Sequence, residues 1–225
     1  TGGKGNDYLE NANGVYSGND TYIFNIGDGQ DTIYDQSGTD QIVFGAGITA
    51  KDILMEASGV NLVIKYTNST DQITINNFFT NAGYRIETLK FADGKILDIT
   101  KAITVAGSAA DDVIVGTPFA DSLSGAAGND YIYGSEDIDI LNGGIGNDIL
   151  KGGGGADSYN FDAGYGSDTI LESGGVGDKL VFGTGILSST MSMIRVANDL
   201  RIVNQGNSDT ISITNFFASD NNRVE

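Results

Sequence analysis

Residues 107–160 read GSAADDVIV GTPFADSLS GAAGNDYIY GSEDIDILN GGIGNDILK GGGGADSYN when they are divided into blocks of nine. Each block begins with Gly, has Asp at its sixth position and has a bulky residue at its eighth position. The sixth-position residues are Asp112, Asp121, Asp130, Asp139, Asp148 and Asp157. After two additional residues the pattern continues as AGYGSDTIL, which adds Asp168 to the series. These blocks are therefore a structural repeat of nine residues.

The blocks resemble the nonapeptide repeats of calcium-binding β-helix proteins, and this resemblance implies an all-β fold, a parallel β-roll in which two blocks form one coil of eighteen residues. The end of each block forms a short strand whose central side chain points inward, and stacked coils pair in parallel. The start of each block forms a turn, where glycine accepts a positive φ and lets carbonyl groups point into one cavity. Aspartates from turns on the same edge are therefore expected to lie together.

Cations are expected between the stacked turns, because carboxylate and carbonyl oxygens are the ligands that calcium prefers. The predicted aspartate pairs are Asp112–Asp130, Asp130–Asp148, Asp121–Asp139, Asp139–Asp157 and, across the additional residues, Asp148–Asp168.

Some turns depart from this pattern. GTPFAD contains Pro118 and Phe119, GSEDID has Asp137 at its fourth position, and GSAADD lacks two glycines. Sites that use Asp121 are therefore weaker candidates, and the strongest predicted sites use the turns within 125–168.

The composition favours cation binding and excludes several other functions. The 225 residues include 30 acidic and 12 basic residues, a formal net charge of −18, 33 Gly, no Cys and no His. Disulfides, thiolate metal sites and imidazole bases are thereby excluded. The negative charge disfavours nucleic acid as a partner, and the apolar runs are too short to span a membrane. Because the aspartates recur in tandem turns, we expect a binding region and not an enzyme.

A longer duplication is also present. Residues 20–34 are similar to residues 157–171 at an offset of 137, and residues 61–79 are similar to residues 199–217 at an offset of 138. The 61–79 segment alternates polar and apolar residues around a polar turn, which predicts antiparallel strands. We expect these modules to cap the open end of each roll, with a ligand-binding surface as the alternative.

The first copy begins with a shorter roll. Its blocks GGKGNDYLE, VYSGNDTYI, IGDGQDTIY and DQSGTDQIV place Asp7, Asp20, Asp31 and Asp40 at the sixth position, and Asp7 is expected to pair with Asp31. The predicted organisation is a short roll at 1–45, a cap module at 46–103, the main roll at 104–182 and a second cap module at 183–225. Because the second module ends before a counterpart of 88–98, we expect the chain to be part of a larger polypeptide.

The blocks match the calcium-binding nonapeptide G-G-x-G-x-D-x-U-x, in which U is a bulky apolar residue. GGKGNDYLE (2–10) and GGIGNDILK (143–151) match at every motif position. The chain thus resembles the RTX (repeats-in-toxin, haemolysin-type calcium-binding) family of bacterial type I-secreted proteins, and its cap modules resemble haemolysin-type calcium-binding related modules. The resemblance implies that turn carbonyls complete the calcium shells. The glycines concerned are Gly2, Gly3, Gly5, Gly125, Gly128, Gly143, Gly144, Gly146, Gly152, Gly153 and Gly155.

The resemblance also implies a function. The chain would bind about five to seven calcium ions, which would offset most of its negative charge, and would fold on binding them. Passage through the type I secretion machinery in the unfolded state would precede folding outside the cell or at the bacterial surface. Two alternatives remain open: an adhesion module for a host surface or glycan, and an accessory domain of an extracellular hydrolase or of a pore-forming toxin that acts in virulence.

Overall fold

The computed structural model describes residues 2–10, 18–80, 82–172, 174–218 and 224. Strands and short 3₁₀ helices make up the regular structure of these residues, so the chain is all-β and forms a parallel solenoid, as predicted. None of the helices in the described ranges is long and apolar enough to cross a membrane. The chain divides into two compact units, Thr1–Lys101 (unit 1) and Ala102–Glu225 (unit 2). The roll–cap boundaries within each unit stay predictions.

Unit 1 forms two sheets from short strands, with 3₁₀ helices at Ala50–Asp52 and Ala82–Tyr84. The strands are β1 (Tyr8–Glu10), β2 (Thr21–Phe24), β3 (Gln30–Tyr34), β4 (Gln41–Phe44), β5 (Ile53–Ser58), β6 (Asn61–Tyr66), β7 (Gln72–Ile75), β8 (Thr88–Lys90) and β9 (Ile96–Asp98). The sheet orders are β1-β3-β7-β6-β5 and β2-β4-β8-β9. In both sheets the first three strands pair in parallel and the remaining pairs are antiparallel. The roll and the antiparallel module therefore share their sheets.

Unit 2 repeats this plan with a longer roll and has a 3₁₀ helix at Ser188–Thr190. Its strands are β10 (Thr104–Ala106), β11 (Val113–Val115), β12 (Ser122–Ala127), β13 (Tyr131–Ser135), β14 (Ile140–Ile145), β15 (Ile149–Gly153), β16 (Ser158–Phe161), β17 (Ser167–Ile170), β18 (Lys179–Phe182), β19 (Met191–Val196), β20 (Asp199–Asn204) and β21 (Thr210–Ile213). One sheet, β10-β12-β14-β16-β18, is parallel throughout. The other, β11-β13-β15-β17-β21-β20-β19, is parallel as far as β21 and antiparallel beyond it.

The core of the unit 2 roll consists of the eighth-position side chains. Leu123 pairs in register with Leu141, and Leu141 pairs with Tyr159, so that these residues form one stack through the roll. All three are almost completely buried. Burial of each such side chain contributes about 1.5–3 kcal/mol relative to exposure, before conformational entropy is subtracted. This register holds every turn directly above the turn one coil earlier.

Candidate metal sites

Two aspartate ladders run along the edges of the unit 2 roll. In each ladder the backbone N–H of one aspartate donates a hydrogen bond of 2.7–2.8 Å to Oδ1 of the aspartate one coil later. The pairs are Asp112–Asp130, Asp130–Asp148 and Asp148–Asp168 on one edge, and Asp121–Asp139, Asp139–Asp157 and Asp157–Asp178 on the other. The structure thus brings together every pair that the sequence analysis proposed in this unit.

The strand register explains these ladders. Asp121 and Asp139 immediately precede β12 and β14, whose first residues are paired in the parallel sheet. The carbonyl oxygen of Asp121 accepts a hydrogen bond of 2.9 Å from the N–H of Ile140, which continues the sheet up to the turn. Two adjacent turns are therefore held at the spacing of neighbouring strands, about 4.8 Å.

Seven repeat aspartates of the two units have a second carboxylate oxygen that is buried and accepts no hydrogen bond. This description applies to Oδ2 of Asp7, Asp40, Asp130, Asp139, Asp148, Asp157 and Asp168. A buried acceptor without a partner costs about 1–3 kcal/mol, and more when it is charged. A hard cation removes this cost because it binds carboxylate oxygens directly. The donor set and the unpartnered oxygens therefore fit calcium.

The glycines of the turns serve two different purposes. A Cβ at Gly143, the first residue of its block, would lie 2.2 Å from Oδ2 of Asp148, so glycine leaves space beside the carboxylate. Gly146 has a φ of 153°. A Cβ there would lie 1.7 Å from the carbonyl oxygen of Gly128. The close stacking of one turn backbone on the next thus requires glycine at this position.

The other predicted glycines follow the same division. Those at first positions, where a Cβ would meet the Oδ2 atom of the aspartate, are Gly2, Gly125 and Gly152. Those with a positive φ are Gly3, Gly5, Gly128, Gly144, Gly153 and Gly155. Calcium binding by their carbonyl groups stays a prediction.

The turns that depart from the motif behave in two ways. In GSEDID, Ser135 and Asp137 adopt positive φ angles of 101° and 67°, so the turn closes without two of its glycines. Asp139 of this turn keeps a buried, unpartnered Oδ2. In GTPFAD, by contrast, Oδ2 of Asp121 accepts a hydrogen bond of 2.5 Å from the N–H of Thr117. Oδ1 of Asp121 accepts a hydrogen bond of 2.6 Å from the N–H of Ile103, so both of its oxygens have partners, and a weaker site at Asp121 stays a prediction.

Burial without a cation raises the pKa values of the ladder carboxyls. Removal from water raises the pKa of Asp139 to about 8, and the negative charges of Asp157 and Asp121 add to the effect. Burial raises the pKa of Asp168 to about 8, with Asp148 as a contributing charge. The pKa of Asp148 is also raised, first by burial and then by the charge of Asp130. Such sites favour either protons or metal ions.

Unit 1 contains shorter versions of the same ladders. The N–H of Asp7 donates to Oδ1 of Asp31 at 3.0 Å, which is the pair expected from the sequence. The N–H of Asp20 donates to Oδ1 of Asp40 at 2.7 Å. The N–H of Asp40 donates in turn to Oε2 of Glu87 at 2.6 Å, so a carboxylate from outside the repeats ends this ladder.

The nine-residue pattern did not predict four carboxylates that lie at these edges: Asp35, Glu87, Glu172 and Asp178. Asp178 follows Asp157 by 21 residues, a larger step than those between the other ladder aspartates of unit 2. A signal for it was present, because Asp178 precedes KLVF as Asp40 precedes QIVF, at the offset of 138 that relates the two copies.

These features define a calcium-binding β-roll: parallel coils, Gly-Asp turns and stacked carboxylates on both edges. The family model described as RTX calcium-binding nonapeptide repeat (4 copies) matches residues 16–48, 106–141 and 133–168. The model described as haemolysin-type calcium binding protein related domain matches residues 61–101. Together the matches cover more than half of the chain. The chain belongs to the RTX haemolysin-type calcium-binding family, whose nonapeptide repeats bind calcium.

Two known proteins show the extent of the likeness. Iron-regulated protein FrpA of Neisseria meningitidis serogroup C is 35% identical over 98 residues, which cover 40% of this chain and 9% of FrpA. The crystal structure of the extracellular lipase LipA from Serratia marcescens is 17% identical and has a TM-score of 0.36, over 93% of this chain and 37% of the lipase. The chain thus spans only a small part of the length of either protein.

Proposed function

We propose that this chain is a calcium-dependent folding region of a secreted bacterial protein. The observation that carries the proposal is the series of buried Oδ2 atoms that accept no hydrogen bond, which includes those of Asp130, Asp148 and Asp168 on one edge. Each of these atoms lies in a turn stacked on the next turn. A cation between two turns satisfies both carboxylates and holds the coils together.

The energetic argument depends on the number of ions. Without metal, aspartates one coil apart repel one another, and the glycine-rich turns lose much conformational entropy on ordering. Extracellular calcium sites have dissociation constants of about 10⁻⁴–10⁻³ M. At a tenfold excess of calcium, each independent site contributes about 1.4 kcal/mol of stability. About five to seven such sites would contribute roughly 7–10 kcal/mol, which is comparable to the whole stability of a domain.

Calcium-dependent folding of this kind is compatible with secretion in the unfolded state. RTX-family proteins are typically secreted, and we infer that this chain leaves the cell through type I machinery and acts outside it. Low calcium inside the cell would keep the roll unfolded for passage through a narrow channel, and external calcium would then fold it. In this proposal the carboxylates hold cations and the chain itself catalyses no reaction.

The test is circular dichroism of the full chain in a chelator, followed by titration with calcium and, separately, with magnesium. We expect a largely unfolded spectrum in the chelator and a β spectrum in calcium, with little response to magnesium. Asp148→Asn should raise the calcium midpoint, because Asp148 belongs to two stacked pairs. Asp93→Asn, an exposed site outside the rolls, is the matched control and should leave the midpoint unchanged. A folded β spectrum in chelator that calcium does not alter would refute the proposal.

A further inference from the structure

Each unit contains a group of three carboxylates that differs from the two-aspartate turn pairs. In unit 2, ligand oxygens of Asp157, Glu172 and Asp178 lie within 4.8 Å of one another, and all three residues are buried. Asp157 and Asp178 form the last pair of their ladder. Glu172 comes from the chain just before the Asp178 turn and occupies no sixth position of a repeat. The last pair of this ladder therefore has a third carboxylate.

Unit 1 contains the same arrangement at equivalent positions. Ligand oxygens of Asp20, Asp35 and Asp40 also lie within 4.8 Å of one another, and Asp35 and Asp40 are buried. Asp20 and Asp35 correspond to Asp157 and Glu172 at an offset of 137. The third position is Asp in one copy and Glu in the other, so both copies have a carboxylate there. We call these two groups the terminal carboxylate clusters.

A buried tyrosine fixes the third carboxylate in both clusters. The hydroxyl of Tyr22 donates to Oδ2 of Asp35 at 2.7 Å. Its counterpart Tyr159 donates its hydroxyl to Oε2 of Glu172 and accepts a hydrogen bond of 2.8 Å from the N–H of Gly152. Rigid placement lowers the cost of ordering a ligand when a cation binds.

An oxygen without a hydrogen-bond partner points to a ligand in each cluster. Oδ2 of Asp157 and Oδ2 of Asp40 are both buried and accept no hydrogen bond. A Cβ at Gly152 would lie 2.1 Å from Oδ2 of Asp157 and 2.6 Å from the hydroxyl of Tyr159, so these two oxygens border the same narrow space.

We propose that the terminal carboxylate clusters are a second class of metal site, one in each unit, which binds cations before the turn pairs do and prefers trivalent ions. The inference rests on the proposed calcium-binding function. Affinity for hard cations rises with the number of charged ligands and with the rigidity of the site, and these clusters exceed a turn pair in both. We expect calcium to bind them on the order of tenfold more tightly than it binds the turn pairs. A trivalent ion gains still more, because it meets three negative charges in a buried site.

Terbium(III) is the probe, because tyrosine transfers excitation energy to terbium at short range. Tyr22 and Tyr159 each contact a carboxylate of a cluster. Titration of the full chain should give tyrosine-sensitised emission that saturates at about two ions per chain, one per cluster, before the turn pairs fill. Calcium should displace this terbium only at higher concentration.

Variants test the contribution of the third carboxylate to terbium binding without changing the ladder aspartates. The double variant Asp35→Asn with Glu172→Gln should remove the early phase and weaken terbium binding on the order of tenfold. Tyr22→Phe with Tyr159→Phe keeps the carboxylates and should lower the emission per bound ion. The controls are Glu56→Gln and Tyr8→Phe, which change an exposed ion pair and an exposed ring. A terbium titration of the carboxylate variant that superimposes on that of the unaltered chain would overturn the inference.

Circular dichroism in the same samples distinguishes the two proposals. Calcium-induced folding without an early terbium phase would contradict the terminal clusters and leave the folding function intact. An early phase that the carboxylate variant abolishes, in a chain whose fold calcium does not alter, would support the clusters and contradict the folding function.

Discussion

The two units share one plan but differ in how the apolar face of their antiparallel strands is covered. In unit 1, β8 pairs in parallel with β4, and Phe91 stacks on Phe44 with a ring-centroid distance of 5.1 Å. Phe44 and Met55 are 3% and 0% exposed. Their counterparts Phe182 and Met193 in unit 2 are 36% and 72% exposed, and the residues described there include no counterpart of β8 and β9. Within the described residues, these equivalent side chains are therefore buried in unit 1 and exposed in unit 2.

The edges that carry the aspartate ladders also differ. The longer roll of unit 2 contains more buried carboxylates than the roll of unit 1. Burial raises the pKa values of Asp139 and Asp168 in unit 2 to about 8. In unit 1 burial raises the pKa of Asp40 to about 7 and also raises that of Asp31. Unit 2 thus contains more buried carboxylates for cations to neutralise than unit 1.

The largest expected effect is the pH dependence of the metal-free chain. Unfolded aspartates titrate near pH 4, so between about pH 4 and about pH 8 the folded chain binds more protons than the unfolded chain. The free energy of unfolding in chelator must therefore fall as the pH rises through this window, and unit 2 should lose more stability than unit 1. Circular dichroism in chelator at several pH values, with more β structure expected near pH 5 than near pH 8, measures the change, and hydrogen exchange compares the two units.

Saturating calcium is the control for this prediction. The bound ions replace the protons, so the pH dependence should become much weaker above about pH 6. A metal-free chain whose stability does not fall from about pH 5 to about pH 8 would show that the buried carboxyls are ionised in the folded state at no cost.

The next largest effect on the free energy of unfolding comes from substituting two equivalent methionines, Met55 in unit 1 and Met193 in unit 2. Met55→Ala should lower the free energy of unfolding of unit 1 in calcium by about 2–5 kcal/mol, because it leaves a cavity in a closed core. Met193→Ala should change that of unit 2 by less than about 0.5 kcal/mol, because the side chain is on the surface. Hydrogen exchange of β6 and of β20, measured in calcium, reports the two units separately. Similar losses in the two units would mean that the face of unit 2 is covered in solution.

The comparison also shows what the sequence could predict. The coils, the inward Leu141 and the pairing of Asp130 with Asp148 follow from a local pattern repeated every nine residues, so the pattern alone was sufficient. The burial of Met55 and the exposure of Met193 could not be read in this way, because burial depends on which residues distant along the chain cover each side chain. The sequence of a single strand therefore does not determine whether such a side chain is buried.

The terminal clusters were missed for a related reason. Asp35 and Glu172 come close to the ladders only because the chain closes its last coil around a tyrosine. The nine-residue pattern does not mark these residues, because they lie outside its sixth positions, 13 residues after Tyr22 and Tyr159. The long-offset duplication carried the missing information, because it aligns Asp40 with Asp178.

The smallest expected effect concerns the aspartate that joins each antiparallel module to its roll. Asp71 accepts hydrogen bonds from the N–H groups of Gly27 at 2.6 Å and of Gly29 at 3.2 Å, one at each carboxylate oxygen. Its counterpart Asp209 accepts one such bond, of 3.0 Å, from the N–H of Gly164. A hydrogen bond to a charged group contributes about 1.5–3 kcal/mol. Asp71→Asn replaces one of the two oxygens with a donor, so one bond of this pair is lost whichever way the amide turns.

Asn at position 209 can instead rotate its remaining oxygen toward Gly164 and keep the bond. We therefore expect Asp71→Asn to lower the free energy of unfolding of unit 1 by about 1–2 kcal/mol, and Asp209→Asn to lower that of unit 2 by less than about 1 kcal/mol. Urea denaturation in saturating calcium, with hydrogen exchange at Gly27 and Gly164, provides the measurement. A greater loss in unit 2 than in unit 1 would show that the module of unit 2 is attached mainly through this carboxylate, because its apolar face contributes less than that of unit 1.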